Sequence, residues 1–130
     1  MRTARATEHL RRTLLAGFTT LRDLGTEGAG YADVGLKQAI EQGIIPGPRM
    51  IVVTRAIVAS GSYGPKGYAP EWDVPIGAEE ADGVDSLIRA VRGQIGKGAD
   101  WVKLYADYRW GRTVSTQTFT LAELQLAVET

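Results

Sequence analysis

At 130 residues the chain has the length of one ordinary domain. Its fifteen basic and fifteen acidic residues cancel, and no run of like charge stands out, which argues against a nucleic-acid groove or an anionic membrane surface as a partner. The absence of cysteine excludes a disulfide framework, a thiolate zinc site and a cysteine nucleophile together.

The opening "MRTARATEHLRRTLLAG" lacks the roughly seven consecutive apolar residues of a signal-peptide core, and no segment approaches the roughly 20 apolar residues of a membrane span. The expectation is a cytoplasmic protein. Residues 3–16 set Ala6, His9 or Leu10, Thr13, Leu14 and Ala16 at helical spacing with arginines opposite, and Gly17 stops the helix. "FTTLRDLG" then predicts a strand over 18–24, closed by the glycines of "GTEGAG". Val34, Leu36, Ala39 and Ile40 predict a second helix over 31–42, ended by "GIIPGP".

"RMIVVTRAIVAS" opens on a near-continuous apolar run, the pattern of a strand buried on both faces, and predicts a strand over 49–56. Next, "GSYGPKGYAPEWDVPIG" has four glycines, three prolines and three aromatic residues but no period, so it reads as a long ordered loop of the binding-loop or lid type. Val84, Leu87, Ile88, Val91 and Ile95 predict a third helix over 82–96. Glu79, Glu80, Asp82 and Asp85 are expected in its first turn, where carboxylates meet the positive dipole end. "ADWVKLYAD" predicts a strand over 100–106, and the cap pattern of Thr120 and Glu123 opens a fourth helix over 120–130. Helices and strands alternate with no tight hairpin, so the expected fold class is α/β with about three parallel strands.

Strand alternation puts Trp101, Lys103 and Tyr105 on one face and Val102 and Leu104 on the other, which would sit under helices. Two accounts of Lys103 are open. Its stem can pack on rings with the ammonium in water or against Asp100 or Asp107. Alternatively, burial favours the neutral amine, which can combine with carbon dioxide to give a carbamate able to bridge two metal ions.

"LLAGFTTLRDLG" (Leu14 to Gly25), "PGPRMIVVTRAI" (Pro46 to Ile57) and "GADWVKLYAD" (Gly98 to Asp107), in this order and spacing, resemble consecutive segments of the metal-dependent amidohydrolase superfamily, in its branch of imidazolonepropionase-like enzymes and Xaa-Pro dipeptidases. The resemblance implies a (β/α)8 barrel of which these 130 residues are an internal fragment, a single domain from the first helix to the fourth. It also implies that Lys103, ending the fourth barrel strand, is carboxylated in the whole enzyme and bridges a two-metal centre of zinc or a similar divalent metal. Chemistry in such barrels gathers at the C-terminal strand ends.

The family's His-x-His pair, its two further histidines and its aspartate have no counterpart here. The one histidine, His9, has the context of a helix residue. No residue is therefore assigned as catalytic, and the fragment is expected to bind no metal by itself and to be inactive in isolation. By position the resemblance makes Tyr63, Tyr68, Tyr105, Tyr108 and Arg109 candidate substrate-binding residues, with Trp110 beside them. At about the place of Tyr63 many relatives carry a histidine that helps hold substrate, so the tyrosine departs from the pattern.

Arg22 and Asp23 end the first predicted strand, a place from which they could orient a metal ligand or substrate, but they read first as a structural ion pair or loop contact. The glycine amides of "SGSYGPKG" match no phosphate-binding pattern. Two functions stay in view. One is part of a hydrolase of amide or peptide-like C–N bonds, with a small amide or peptide as substrate. The other is a non-catalytic α/β module that self-associates as a homo-oligomer through the sheet edges a barrel excerpt exposes.

Overall fold

Four helices form where the 3.6-residue spacing places them, each end within one residue of expectation: α1 (Arg2–Leu15), α2 (Ala32–Glu41), α3 (Gly83–Gly96) and α4 (Leu121–Glu129). The computed structural model describes residues 1–109 and 114–130. The expected cap of α4 is present as a reciprocal pair, with the Thr120 hydroxyl accepting from the Glu123 N–H and the Glu123 carboxylate accepting from the Thr120 N–H. No helix among the described residues is long and apolar enough to cross a membrane.

The strands are shorter than the sequence predicts. β1 (Thr20–Arg22) pairs in parallel with β2 (Arg49–Ile51), Leu21 opposite Met50. β3 (Ile57–Val58) pairs in parallel with β4 (Glu79–Glu80), and Ile57 also makes a parallel bridge to Leu104. The predicted strand over 100–106 is thus reduced to that bridge, flanked by Asp100 and Trp101 N–H groups donating to the Val52 carbonyl. Ile57 donates to the Lys103 carbonyl at 2.8 Å and accepts from the Tyr105 N–H at 3.1 Å. β1, the 49–58 segment and the 100–105 segment therefore lie side by side and parallel, and the described residues form no closed barrel.

The predicted strand over 49–56 breaks at Thr54, which sits in the left-handed region at φ 62°, a costly conformation for a β-branched residue. Its surroundings over-determine it. The Thr54 N–H donates to the Asp33 carboxylate of α2 at 2.7 Å, its carbonyl accepts from the Thr26 N–H, and its hydroxyl donates to the Gln94 side chain of α3. Gln94 in turn donates to Glu79, which lies 3.7 Å from Arg55. Asp33, Thr54 and Gln94 are all buried, so this polar chain ties α2, the strand break, α3 and β4 together inside the core.

Two further differences from expectation follow from the same hydrogen-bond accounting. Glu79 and Glu80 belong to β4 rather than to the first turn of α3, because the Glu79 and Ala81 N–H groups are taken up by the Ala56 and Val58 carbonyls. Asp82 is the residue before the helix, and Asp85 alone is an acidic residue in its first turn. A short antiparallel pair also occurs, β5 (Asp107–Tyr108) with β6 (Thr116–Gln117), where no hairpin was expected. Thr118 holds it down, its N–H on the Ala106 carbonyl and its hydroxyl on the Tyr105 carbonyl.

Two apolar clusters lie under the helices. Leu10 of α1 and Leu36 of α2 meet Met50 and Val52, with Leu21 and Ile40 against them. Leu87, Ala90 and Val91 of α3 meet Ile57 and Phe119, with Val102, Leu104 and Leu124 of α4 around them. Residues that alternate with these along the strands, including Thr20, Arg22, Arg49 and Trp101, are exposed.

Candidate active site

Val102 and Leu104 pack on α3 and α4 as alternation requires, which leaves Trp101, Lys103 and Tyr105 on the other side of the segment. Lys103 is half-buried, with Nζ 4.8 Å from the centroid of the Tyr105 ring, within range of a cation–π contact. Asp100 is not its partner. One Asp100 oxygen accepts from Lys37 at 2.6 Å and the other from the Val52 N–H at 2.9 Å, which together hold its carboxyl below the usual range.

Three of the candidate tyrosines meet one another, and Lys103 approaches Tyr105 among them. The Tyr63 ring lies 5.4 Å from that of Tyr105 and 6.3 Å from that of Tyr108, the latter edge-on, favoured geometries for aromatic pairs. Lys66 sits 5.0 Å over the Tyr108 ring. Tyr68 goes elsewhere: it packs on Trp72 at 6.1 Å, and both are exposed. Arg109 is exposed beyond β5, and Trp110 lies outside the described residues.

Arg22 and Asp23 make no pair with each other among the described residues. The Arg22 guanidinium lies 5.1 Å over the Trp101 ring, extending the aromatic and cationic surface, whereas an Asp23 oxygen accepts from the Gly25 N–H at 2.9 Å. Of the loop glycines, Gly61 gives its N–H to the Glu80 carboxylate at 3.2 Å, so that amide serves the loop's own closure.

One residue the sequence reading passed over belongs to this site. Glu27, the charged residue in "GTEGAG", sits in the left-handed region at φ 50°, and its carboxylate accepts the Tyr63 hydroxyl proton. That bond, reinforced by burial, pushes the Tyr63 phenol up to about 12. The Glu27→Gln variant removes the charge that opposes phenolate formation. An absorbance titration of the tyrosines is expected to show one group moving from about 12 towards 10 in that variant, and an unchanged titration would contradict the bond. Tyr105 is also raised, first by burial and then by the Glu27 charge.

Glu27 and Tyr63 line an open cleft of about 500 Å³, bordered also by Arg2, Pro65, Pro75 and Ile76. Gly77 permits its shape, since a Cβ there would lie 3.0–3.2 Å from the Glu27 and Gly28 backbone.

Among the described residues no group of three or more His, Cys, Asp or Glu is arranged to hold a metal ion. His9 is exposed on α1, away from any second histidine because the chain has one. Lys103 alone does not compose a bimetallic centre.

No protein-family model matches the chain, and no curated protein sequence matches it. Solved structures do. An amidohydrolase is 33% identical over 98% of this chain and 33% of its own, with a TM-score of 0.81. A Xaa-Pro dipeptidase with methionine bound in its active site is 27% identical over 98% of this chain and 32% of its own, at 0.82. A prolidase complexed with N-methylphosphonate-L-proline is 29% identical over 97% of this chain and 32% of its own, at 0.77. The chain belongs to the amidohydrolase superfamily. It spans about a third of the length of the amidohydrolases and peptidases it matches.

Within that superfamily the described elements supply one run of alternating helices and parallel segments, and they place Lys103, Tyr63, Tyr105 and Tyr108 together with Glu27. Tyr68 stands apart from this group with Trp72.

Proposed function

We propose that residues 1–130 are the part of a (β/α)8 hydrolase running from its first helix to its fourth as one domain, in the imidazolonepropionase-like and Xaa-Pro dipeptidase branch. The whole enzyme acts on amide or peptide-like C–N bonds of small substrates. The observation that carries this reading is the two-sided environment of the 100–105 segment. Its apolar residues lie under α3 and α4, while Lys103 lies on the side away from them, beside Tyr105, whose ring packs on Tyr63.

On this reading the Lys103 ammonium gives one proton to solvent and its nitrogen attacks the carbon of carbon dioxide, forming an N–C bond as one C–O π pair moves to oxygen and a second proton leaves the nitrogen for solvent. That carboxylate would serve as one ligand of a two-metal centre, for which the described residues offer no cluster of His, Cys, Asp or Glu. Bound divalent ions supply Lewis-acid polarisation of a scissile carbonyl. Tyr63, Tyr105 and Tyr108 wall the substrate side, with Arg109 next in the chain. Fold likeness does not carry specificity, so the substrate is limited to its bond type.

A chimera tests it: residues 1–130 replace the matching third of the amidohydrolase relative, and dipeptide hydrolysis is measured after zinc loading. Turnover is expected in the chimera and its loss in Lys103→Met. A folded, monodisperse chimera whose turnover ignores Lys103→Met overturns the assignment.

A second reading has its own observation. Phe18, Leu24 and Trp101, large apolar residues in or next to β1 and the 100–105 segment, are 61%, 48% and 54% exposed. The isolated 130 residues would then self-associate and turn over nothing. Light scattering on the isolated chain, beside the same hydrolysis assay, separates the two: a monomer removes the self-association reading, and turnover removes the inactivity.

A further inference from the structure

The segment that carries Lys103 is pinned at two places, one on either side of Thr54. Upstream, the Val52 carbonyl accepts from the Asp100 and Trp101 N–H groups at 2.8 and 3.3 Å. Downstream, the Ile57 N–H donates to the Lys103 carbonyl at 2.8 Å and the Ile57 carbonyl accepts from the Tyr105 N–H at 3.1 Å, with Ile57 opposite Leu104. The five steps from Val52 to Ile57 therefore run beside only four, from Asp100 to Leu104. In plain extended chain that surplus would be one residue, about 3.3 Å, and the Ile57 N–H would miss the Lys103 carbonyl. The left-handed Thr54 takes it up, as a β-bulge does, and bulges re-aim the side chains beside them.

Glycine is the usual residue at a left-handed position, so a threonine there carries a cost that its side chain has to offset. What threonine adds is the hydroxyl on the buried Gln94. Gln94 reaches both pinned segments. Its side-chain oxygen also accepts from the Arg55 N–H at 3.5 Å, and its main-chain carbonyl accepts from the Ala99 N–H at 3.1 Å, one residue before Asp100. It also donates to Glu79, whose own N–H donates to the Ala56 carbonyl at 2.8 Å. We infer that Thr54, held by Gln94, is a positioning residue for Lys103. It sets the register in which the 100–105 segment is gripped, and so keeps the Lys103 ammonium over the Tyr105 ring. The chemistry that Lys103 performs rests on the hydrolase reading, whereas the direction in which its side chain points does not.

The test is carbon-13 NMR of the 130-residue chain after reductive dimethylation with labelled formaldehyde, which keeps the charge and marks the four lysines. Lys103→Arg assigns the Lys103 signal. In the parent chain the Tyr105 ring should shift that signal upfield of free dimethyl-lysine. Thr54→Gly, which suits the backbone but lacks the hydroxyl, and Gln94→Met should each move it at least halfway to the free value, with the Lys97 signal beside Tyr31 as the check on folding. Thr54→Ser, which restores the hydroxyl, should keep the parent signal. A merely structural threonine would lower stability and leave the Lys103 signal in place. An unmoved signal in folded Thr54→Gly, or an equal movement in Thr54→Ser, therefore overturns the inference. Should the variants not fold, hydrogen exchange on the unaltered chain decides, because the Thr54, Ile57 and Tyr105 amides are expected to open as one unit. Opening of Thr54 without the other two overturns the inference as well. The Lys103 chimera answers separately for the hydrolase reading.

Discussion

Replacing Asp33 by alanine is expected to destabilise the chain by about 2–5 kcal/mol, read as a fall in the urea midpoint at unchanged slope. Asp33 is 1% exposed, and its two oxygens accept from the Val34 and Thr54 N–H groups at 2.9 and 2.7 Å. Alanine leaves both donors without an acceptor, and the Thr54 donor belongs to the residue holding the left-handed turn of the 49–58 segment. Breaking that contact also frees the hydroxyl to leave Gln94. The loss therefore spreads to α3.

The same residue gives a pH signature opposite to that of its neighbours. Burial raises the Asp33 carboxyl above 3.8, against the two N–H groups that lower it. The folded state therefore holds its proton to higher pH than the unfolded state. Its stabilising contribution is fullest below 3.8 and is lost as pH rises through the raised folded value. Asp82, Asp100 and Glu123 behave the other way, lowered by Ser60, by Lys37 and by the Thr120 N–H respectively. Their contributions are present above the ordinary carboxylate range and are lost on acidification. The stability gap between the parent chain and Asp33→Ala should accordingly be wider in mild acid than at neutral pH. A gap that narrows on acidification would contradict the burial of that carboxylate.

Phe119→Ala should cost about 3–5 kcal/mol, the usual loss for a fully buried phenylalanine. Its ring is 1% exposed and fills the space between Ile57, Leu87 and Val91. It sits between β6 and the cap of α4, so it fastens those two elements to the core. Against a total of roughly 5–15 kcal/mol for a domain, this is a large fraction. Hydrogen exchange should locate the damage, with protection lost first in α4 and β6 while α1 and α2 keep theirs. Uniform loss across all four helices would mean that Phe119 is not the local fastening described here.

The helices were legible because their signals are local. Leu10, Leu36, Leu87 and Val91 recur at helical spacing, and Thr120 with Glu123 marks its cap three residues apart. The strand over 49–56 was not, because what interrupts it is the Asp33 carboxylate, 21 positions earlier, taking an N–H that a ladder would have used. Nothing in "RMIVVTRAIV" carries that information. The β5–β6 pair left a fainter trace, the threonine-rich "TVSTQTFT", a β-favouring composition overlooked beside the stronger helix cap that follows.

For the site, strand alternation separated Val102 and Leu104 from Lys103 and Tyr105, as the packing on α3 and α4 has it. Alternation cannot say which loop ring reaches which strand. Tyr63 reached Tyr105, while Tyr68, five residues on, turned to Trp72. Glu27 was missed because a lone acid among glycines looks like a solvated turn. Its left-handed backbone and its bond to Tyr63 are visible only in three dimensions.

The left-handed Thr54 also changes the phase of its own segment. Met50 and Val52 occupy even positions and face α1 and α2, whereas Ile57, at an odd position, faces α3. An unbroken pleat would send those two sets to opposite sides. One residue out of step thus lets a single stretch of chain hand its greasy side from one helix pair to the next, so deleting or adding a residue between Val52 and Ala56 would invert everything downstream of it.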